Sequence, residues 1–110
     1  MRQTDSKELP FEPDPVLINK ALLIISGKWR LYIILLLADQ TLRYSQLSEK
    51  LPGTSQKVLA NELKALVGLG ILKRKVFAEV PPRVEYTLTK KGRLALPILR
   101  QVQELGKLIN

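Results

Sequence analysis

Residues 44–88 read YSQLSEKLPGTSQKVLANELKALVGLGILKRKVFAEVPPRVEYTL, and their order of helical and alternating patterns is the strongest indication of the fold. It begins with a short helical pattern over Ser45–Leu51 and continues through a Pro-Gly turn into a longer helical pattern over Ser55–Gly68. Two segments in which apolar and polar residues alternate follow, Ile71–Phe77 and Arg83–Leu88, and a Pro-Pro turn joins them. This order predicts a winged helix-turn-helix, a mainly α fold with a small β-hairpin as its wing.

The longer helix of this stretch has an apolar and a polar side. We expect the apolar residues of both helices to point inward; they are Leu47, Leu51, Val58, Leu59, Leu63, Leu66 and Val67. Lys57, Asn61 and Lys64 recur at steps of three or four residues on the opposite side, and Gln56 adjoins them. Amides pair with adenine and lysines with guanine or phosphate, while Ser55 suits a phosphate at the helix N-terminus. The polar side predicts base readout in a DNA major groove, with an ordinary solvated helix surface as the alternative.

The hairpin carries long cationic side chains. Lys73, Lys75 and Arg83 are predicted to reach the phosphate backbone, and Arg43 would extend the same basic surface. The alternative is an edge hairpin kept soluble by its lysines, and Glu85 is placed to orient Arg83. The complete set of predicted DNA contacts is Arg43, Ser45, Ser55, Gln56, Lys57, Asn61, Lys64, Lys73, Lys75 and Arg83.

Two predicted helices precede this unit. The first begins at Pro15 and is heavily apolar, and Ser26 is placed to cap the second, Lys28–Ala38. Because the second helix is apolar almost all round, it must be covered on several sides. A chain of 110 residues has little material for that, so we expect part of both helices to lie in a subunit interface. Trp29 and Tyr32 are interpreted as packing residues, with the wall of a ligand pocket as the alternative.

An apolar stripe follows the hairpin. After Thr89, apolar residues recur at steps of three and four and predict an amphipathic helix, which Pro97 should kink or split. We expect this stripe to belong to the same subunit interface. The predicted interface residues are Val16, Leu17, Leu94, Ile98, Val102, Leu105 and Ile109.

Composition limits the partners. The chain has 18 Lys plus Arg against 10 Asp plus Glu, and its net charge of +8 favours polyanions. Residues 57–93 alone carry nine basic and three acidic residues, so the positive field belongs to the helix and hairpin. Nucleic acid fits this charge, and so does an anionic membrane surface. With 45% apolar residues, the length predicts one compact domain over residues 14–110 behind a flexible tail, residues 1–13.

Other classes of protein are excluded by what the sequence lacks. It has no cysteine and no histidine, which rules out disulfides and thiol chemistry and leaves only scattered carboxylates and lysines for acid-base work. We therefore predict no enzyme, no cofactor and no metal site. The apolar run at residues 31–38 is shorter than the roughly 20 residues that span a membrane, and the N-terminus has no apolar signal region. These features predict a cytoplasmic protein.

Four motifs resemble those of the HxlR-type winged-helix transcriptional regulators, relatives of the MarR group. They are Ser26–Trp29, Arg43–Leu47, Leu51–Leu59 and, the most specific, Val80–Thr89 followed by Gly92. The resemblance covers about residues 14–100. It implies a bacterial or archaeal homodimer, joined through its terminal helices, that binds inverted-repeat operators in double-stranded DNA. The residues it implies for the major groove are Ser55, Gln56, Lys57 and Asn61, and those for the wing are Lys75 and Arg83.

One departure from the family concerns signal sensing. Several members carry a Cys-Pro pair just before the first helix, where this sequence has Asp14 and Pro15. Thiol sensing is excluded here, so a signal would have to be a small-molecule effector, a partner or the expression level. The main alternative to a DNA-binding regulator is a winged-helix module that binds an acidic protein, and a peripheral membrane binder is the third reading.

Overall fold

The computed structural model describes residues 11–110, which form five α-helices and one three-stranded sheet. In chain order the elements are α1 (Pro15–Ile25), α2 (Arg30–Leu36), β1 (Leu42–Arg43), α3 (Tyr44–Lys50), α4 (Gln56–Gly68), β2 (Leu72–Phe77), β3 (Arg83–Leu88) and α5 (Lys90–Leu105), followed by a 3-10 turn (Gly106–Leu108). This order confirms the predicted winged helix-turn-helix. Of the predicted tail over residues 1–13, residues 1–10 lie outside the described part.

The sheet is antiparallel, and β3 lies between β1 and β2. In the hairpin, Phe77 pairs with Arg83 and Leu72 with Leu88, which confirms the predicted hairpin. Burial alternates only towards the end of β3, whereas residues 73–76 of β2 are all exposed. On the other edge of β3, Leu42 pairs with Tyr86. Strand β1 was not predicted, because two residues are too few to show a period of two.

The core lies between α2, the two helices of the helix-turn-helix and the sheet. The predicted inward residues Leu47, Leu51, Leu59, Leu63 and Leu66 are buried, and Val67 is half-buried. The prediction for Val58 is wrong, since its side chain is 43% exposed. A helix turns by 100° per residue, which moves Val58 away from Leu59 and onto the side that carries the polar residues.

The predictions for α2 need two corrections. The helix begins at Arg30 rather than Lys28, and its N-cap is Trp29, without a side-chain hydrogen bond. Ser26 does not cap α2; it ends α1, and its N–H donates to the carbonyl of Leu22 at 2.8 Å. The turn through Gly27, at a φ of +92°, moves Ser26 away from the start of the next helix.

Most of the apolar surface of α2 is covered within the chain. Ile33 and Ile34 are fully buried, Trp29 packs against the core, and Tyr32 remains 47% exposed. By contrast, α1 contributes no buried residue at all. A second subunit is therefore not needed to cover the core side of α2. On α1, Ile24 and Ile25 are half-buried against the core, whereas the other large apolar residues are exposed.

An ion pair joins the first two helices to α4. The guanidinium of Arg30 donates to both carboxylate oxygens of Glu62, at 3.1 and 3.3 Å, and to the carbonyl of Leu23 near the end of α1. The two side chains are 20% and 19% exposed. This bidentate contact fixes α4 from behind, which leaves its other side facing outward.

The C-terminal helix α5 runs unbroken through Pro97. Of the two predicted effects of this proline, the split is therefore wrong, and the kink stays a prediction. Its start is fixed by Thr89, whose hydroxyl accepts a hydrogen bond from the N–H of Gly92 at 3.0 Å and donates to the carbonyl of Gly70 at 2.6 Å. Leu96 and Leu99 pack into the core, while Ile98 stays 70% exposed.

The close approach of α5 to the sheet predicts that Gly92→Ala destabilises the fold by about 1–3 kcal/mol. A methyl group at Gly92 would lie 2.5 Å from the backbone carbonyl oxygen of Ile71, which cannot move aside as a flexible side chain could. Urea unfolding measures the change. The matched control is Gly68→Ala in α4, where nothing lies within 4 Å of the added methyl, so stability should stay equal or rise by up to about 1 kcal/mol. Equal stability of Gly92→Ala and the unmodified protein would contradict this account of the contact.

Candidate nucleic-acid interface

The outer side of α4 is polar, as the sequence predicted. The hydroxyl of Ser55 caps the helix by accepting from the N–H of Val58 at 3.1 Å. Lys57, Asn61 and Lys64 are exposed, and their side chains form no hydrogen bond or ion pair with any of residues 11–110. Three polar side chains on one helix are therefore free to meet an external partner.

Gln56 is exposed, but its side chain is hydrogen-bonded to two residues of α3. Its side-chain carbonyl accepts from the hydroxyl of Tyr44 at 2.7 Å, and its amide donates to the hydroxyl of Ser48 at 2.8 Å. Both partners lie on α3, so Gln56 braces the two helices of the helix-turn-helix against each other. Sequence reasoning missed this role because it depends on how α3 packs near the start of α4. A polar residue at the first position of the longer helix is the only sequence signal for it.

The wing positions Arg83 with three neighbours. Its guanidinium lies 3.9 Å from the ring centroid of Phe77 and contacts Glu79 at 3.1 Å and Glu85 at 3.4 Å. The expectation that Glu85 orients Arg83 is confirmed. Arg83 is half-buried, with 26% of its side chain exposed, so it lies at the surface as an ion-paired residue rather than as a free cation. Two carboxylates within ion-pair distance offset its charge, so the main role of Arg83 is to stabilise the wing.

The other wing cations point to solvent. Lys73 and Lys75 on β2 are exposed, and the ammonium of Lys75 lies 5.0 Å from the ring centroid of Phe77. Arg74, which the sequence analysis did not assign to the site, is exposed between them. Its position in a run of three cations was the available signal.

A groove of about 890 Å³ separates α4 from the wing. It brings together four of the predicted contact residues, Arg43, Ser45, Lys64 and Arg83, and adds Arg74. The predicted residues Ser55, Gln56, Lys57, Asn61, Lys73 and Lys75 are not among its lining. The predicted set therefore divides between the groove and the surfaces on either side of it.

The contact between Glu79 and Arg83 predicts that Glu79→Gln raises the affinity for duplex DNA by about two- to fivefold. Loss of this carboxylate releases one side of the guanidinium and removes a negative charge that repels phosphate. Fluorescence anisotropy with labelled duplex measures the effect.

Two controls separate these causes. Glu104→Gln removes a carboxylate that pairs with Lys107 beyond the groove and should change the affinity little. In an Arg83→Ala background, Glu79→Gln should have a smaller effect. The same gain with and without Arg83 would show that the ion pair is irrelevant to binding.

The predicted interface residues lie on two exposed surfaces. On α1, Val16 and Leu17 are 62% and 61% exposed. On and beyond α5, four residues of the stripe are exposed, namely Leu94, Ile98, Leu105 and Ile109. The fifth, Val102, is half-buried. No helix within residues 11–110 has the length and hydropathy needed to cross a bilayer.

Comparison with known proteins gives a consistent result. The family model described as HxlR-like helix-turn-helix matches residues 24–109. An uncharacterized HTH-type transcriptional regulator of Methanothermobacter thermautotrophicus is 42% identical over 84 residues, which are 76% of this chain and 64% of that protein. A crystal structure of a MarR-family transcriptional regulator from Porphyromonas gingivalis superposes with a TM-score of 0.78 at 38% identity, covering 93% of this chain and 100% of that one. The redox regulator HypR in its oxidized form superposes with a TM-score of 0.77 at 33% identity, covering 86% and 97%.

Proposed function

Since the chain belongs to the HxlR-like helix-turn-helix family of transcriptional regulators, we propose that two copies of it bind one inverted-repeat operator in double-stranded DNA. The fold and the family indicate the general function, which is regulation of transcription through a DNA-binding helix-turn-helix. The paired binding, the operator symmetry and the residue roles below are the proposal.

The observation that carries the proposal is the set of unpaired side chains on α4. Lys57, Asn61 and Lys64 are exposed on the outer side of a helix that Arg30 and Glu62 fix from behind. An amide and two ammonium groups on one rigid helix can form specific hydrogen bonds with base edges in a major groove. In this proposal Lys57 and Asn61 read bases, and Gln56 holds α4 in position.

Phosphate contacts would surround this helix. Hydrogen-bond donors lie on both sides of the groove. They are the N-terminus of α4 at Ser55, the side chains of Arg43 and Ser45, and the exposed ammonium groups of Lys73 and Lys75. Such contacts fix the register of a protein on DNA without reading sequence. Arg83 would hold the wing in the position that presents those lysines, and the side of its guanidinium that contacts Glu79 would meet phosphate once that carboxylate is removed.

A second copy is supported by the uncovered apolar surfaces. Residues of α1 and of the stripe on α5 expose large side chains that the fold itself does not use. Large apolar side chains that stay exposed on one surface of a chain are typical of an interaction site. A two-fold dimer would place the two copies of α4 roughly 34 Å apart, or at a small multiple of that distance, to meet successive major grooves.

The sensing mechanism must differ from thiol chemistry. HypR is described as a redox regulator, but this chain has no cysteine. Asp14 instead caps α1, accepting from the N–H groups of Val16 and Leu17 at 2.9 and 3.2 Å. We propose that regulation responds to a small-molecule effector or a partner.

The decisive experiment is selection of bound fragments from genomic DNA, followed by affinity measurements at several salt concentrations. The proposal expects one enriched inverted repeat, bound by two chains, and an affinity that falls steeply with salt. Weak binding without sequence preference would favour a module that binds an acidic protein. Binding to anionic vesicles at the same affinity as the enriched DNA would favour a peripheral membrane protein.

A further inference from the structure

Val58 is an apolar side chain on the polar side of α4. It is 43% exposed, whereas every other large apolar residue within residues 44–68 is buried or half-buried. Single exposed apolar residues are common on protein surfaces, so the position of Val58 within the helix decides what it can contact. The hydrophobic core does not account for this valine, because the fold leaves it largely uncovered.

Val58 lies in the first turn of α4, as the third residue of the helix. In a helix-turn-helix, the N-terminal residues of the second helix are the ones that reach base edges in a major groove. From Asn61, Val58 lies about 60° around the helix and about 4.5 Å along its axis. Seen down that axis, Asn61 lies between Lys57 and Val58. A DNA groove that receives Lys57 and Asn61 therefore also receives Val58.

The flank of α4 that carries Val58 faces away from the wing. Ala60 and Lys64 line the groove between α4 and the wing, whereas Val58 is not part of that lining. Val58 and Ala60 lie about 160° apart around the helix. The wing therefore does not cover Val58, and an external partner can reach its two methyl groups.

The chemistry of the side chain selects what it can pack against. Val58 has no polar side-chain atom, so a donor or acceptor on a base edge that faces it loses water without gaining a hydrogen bond. Among the four bases, thymine alone presents an apolar group in the major groove, its C5 methyl. A valine in a helix has one strongly preferred rotamer, so its methyl groups are held in place before the contact forms. Val58 is therefore suited to a thymine methyl.

We propose that Val58 helps to set the sequence preference by packing against the C5 methyl of a thymine in each half-site. This inference rests on the proposed function and adds an apolar contact to the polar ones of Lys57 and Asn61. An asparagine amide pairs with adenine. The step of about 4.5 Å between Val58 and Asn61 is close to the spacing of about 3.4 Å between base pairs. The thymine is therefore expected within about one base pair of the adenine that Asn61 reads.

The test uses the operator fragment obtained by selection and the full chain. Each thymine of a half-site is replaced in turn by deoxyuridine, in both half-sites, which removes the C5 methyl and leaves the base-pairing groups unchanged. Fluorescence anisotropy should show one position at which the affinity falls by about 3- to 15-fold, because one buried methyl group is lost in each half-site.

Variants assign this effect to Val58. Val58→Ala should lower the affinity for the unmodified operator by a similar factor and should no longer distinguish thymine from deoxyuridine at that position, because both changes remove the same contact. Its thermal stability should stay equal or rise slightly, since Val58 lies outside the core and alanine is the better helix former. The matched control is Val76→Ala, the same truncation at a 52% exposed position of β2, which should keep the full preference for thymine.

Two results would overturn this assignment and leave the proposed function standing. One is an affinity for the operator that no deoxyuridine substitution changes, and the other is an undiminished preference for thymine in Val58→Ala. Absence of any enriched fragment in the selection would contradict the proposed function itself, and the role of Val58 would fall with it. The two failures are distinguishable, because the first requires binding to an operator and the second excludes it.

Discussion

Replacement of both Lys57 and Lys64 by alanine is expected to lower the affinity for the selected operator by about 10- to 100-fold at moderate salt. Both ammonium groups are exposed on the outer side of α4 and have no partner within residues 11–110, so a bound duplex would gain both contacts. Each phosphate contact also releases a counterion. The slope of log affinity against log salt should therefore become shallower by about one unit for each lysine that meets a phosphate.

Anisotropy titrations at four salt concentrations measure both quantities. The matched control is Arg100→Ala, which removes one positive charge from the exposed side of α5 and should change the affinity only slightly. Thermal unfolding should be unchanged in the double variant, because neither lysine packs in the core. Operator affinity equal to that of the unmodified protein would remove α4 from the interface and leave the wing as the main contact.

The sequence predicted the order of elements because each has a period of its own. Leucines at helical spacing fixed α4, and alternation around the two prolines fixed the hairpin. The outward position of Lys57 and Asn61 followed from the same helical period, since a side opposite the leucines must face away from the core.

What the sequence could not predict depends on contacts between elements. Gln56 and Lys57 are neighbours with similar polarity, but only Gln56 lies beside Tyr44 and Ser48 and is used as a brace. The contacts of Arg83 with Glu79, Glu85 and Phe77 could not be predicted either, because they form only when the hairpin has folded.

The groove between α4 and the wing also could not be predicted from the sequence, because it too depends on contacts between elements. Its walls come from residues as far apart as Arg43 and Tyr86, which are neighbours only because β1 pairs with β3. Since β1 has two residues and no detectable period, the pairing could not be inferred before the fold was known. A groove at the junction of three elements could therefore not be predicted from the sequence, whereas the single helix α4 could.

Replacement of both Ile98 and Leu105 by aspartate is expected to convert the proposed dimer into a monomer. At 100° per residue these two side chains share one side of α5, about a third of a turn from Leu99 and nearly half a turn from Leu96, which both face the core. Ile98 and Leu105 are 70% and 59% exposed, so the substitutions should not unfold the chain. Burial of each apolar side chain is worth about 1.5–3 kcal/mol, and two-fold symmetry makes each substitution count twice.

Sedimentation velocity measures the mass directly, and the dissociation constant of the dimer should rise by at least about 1,000-fold. Operator affinity should fall with it, because a monomer meets only one half-site. Gln103→Asp introduces the same charge on another side of α5 and should leave the mass unchanged. A dimer that survives both aspartates would exclude the stripe on α5 from the interface and leave α1, with Val16 and Leu17 exposed, as the remaining surface for pairing. In that case the two copies of α4 would be related by a different axis, and the spacing of half-sites in the selected operator would have to match it.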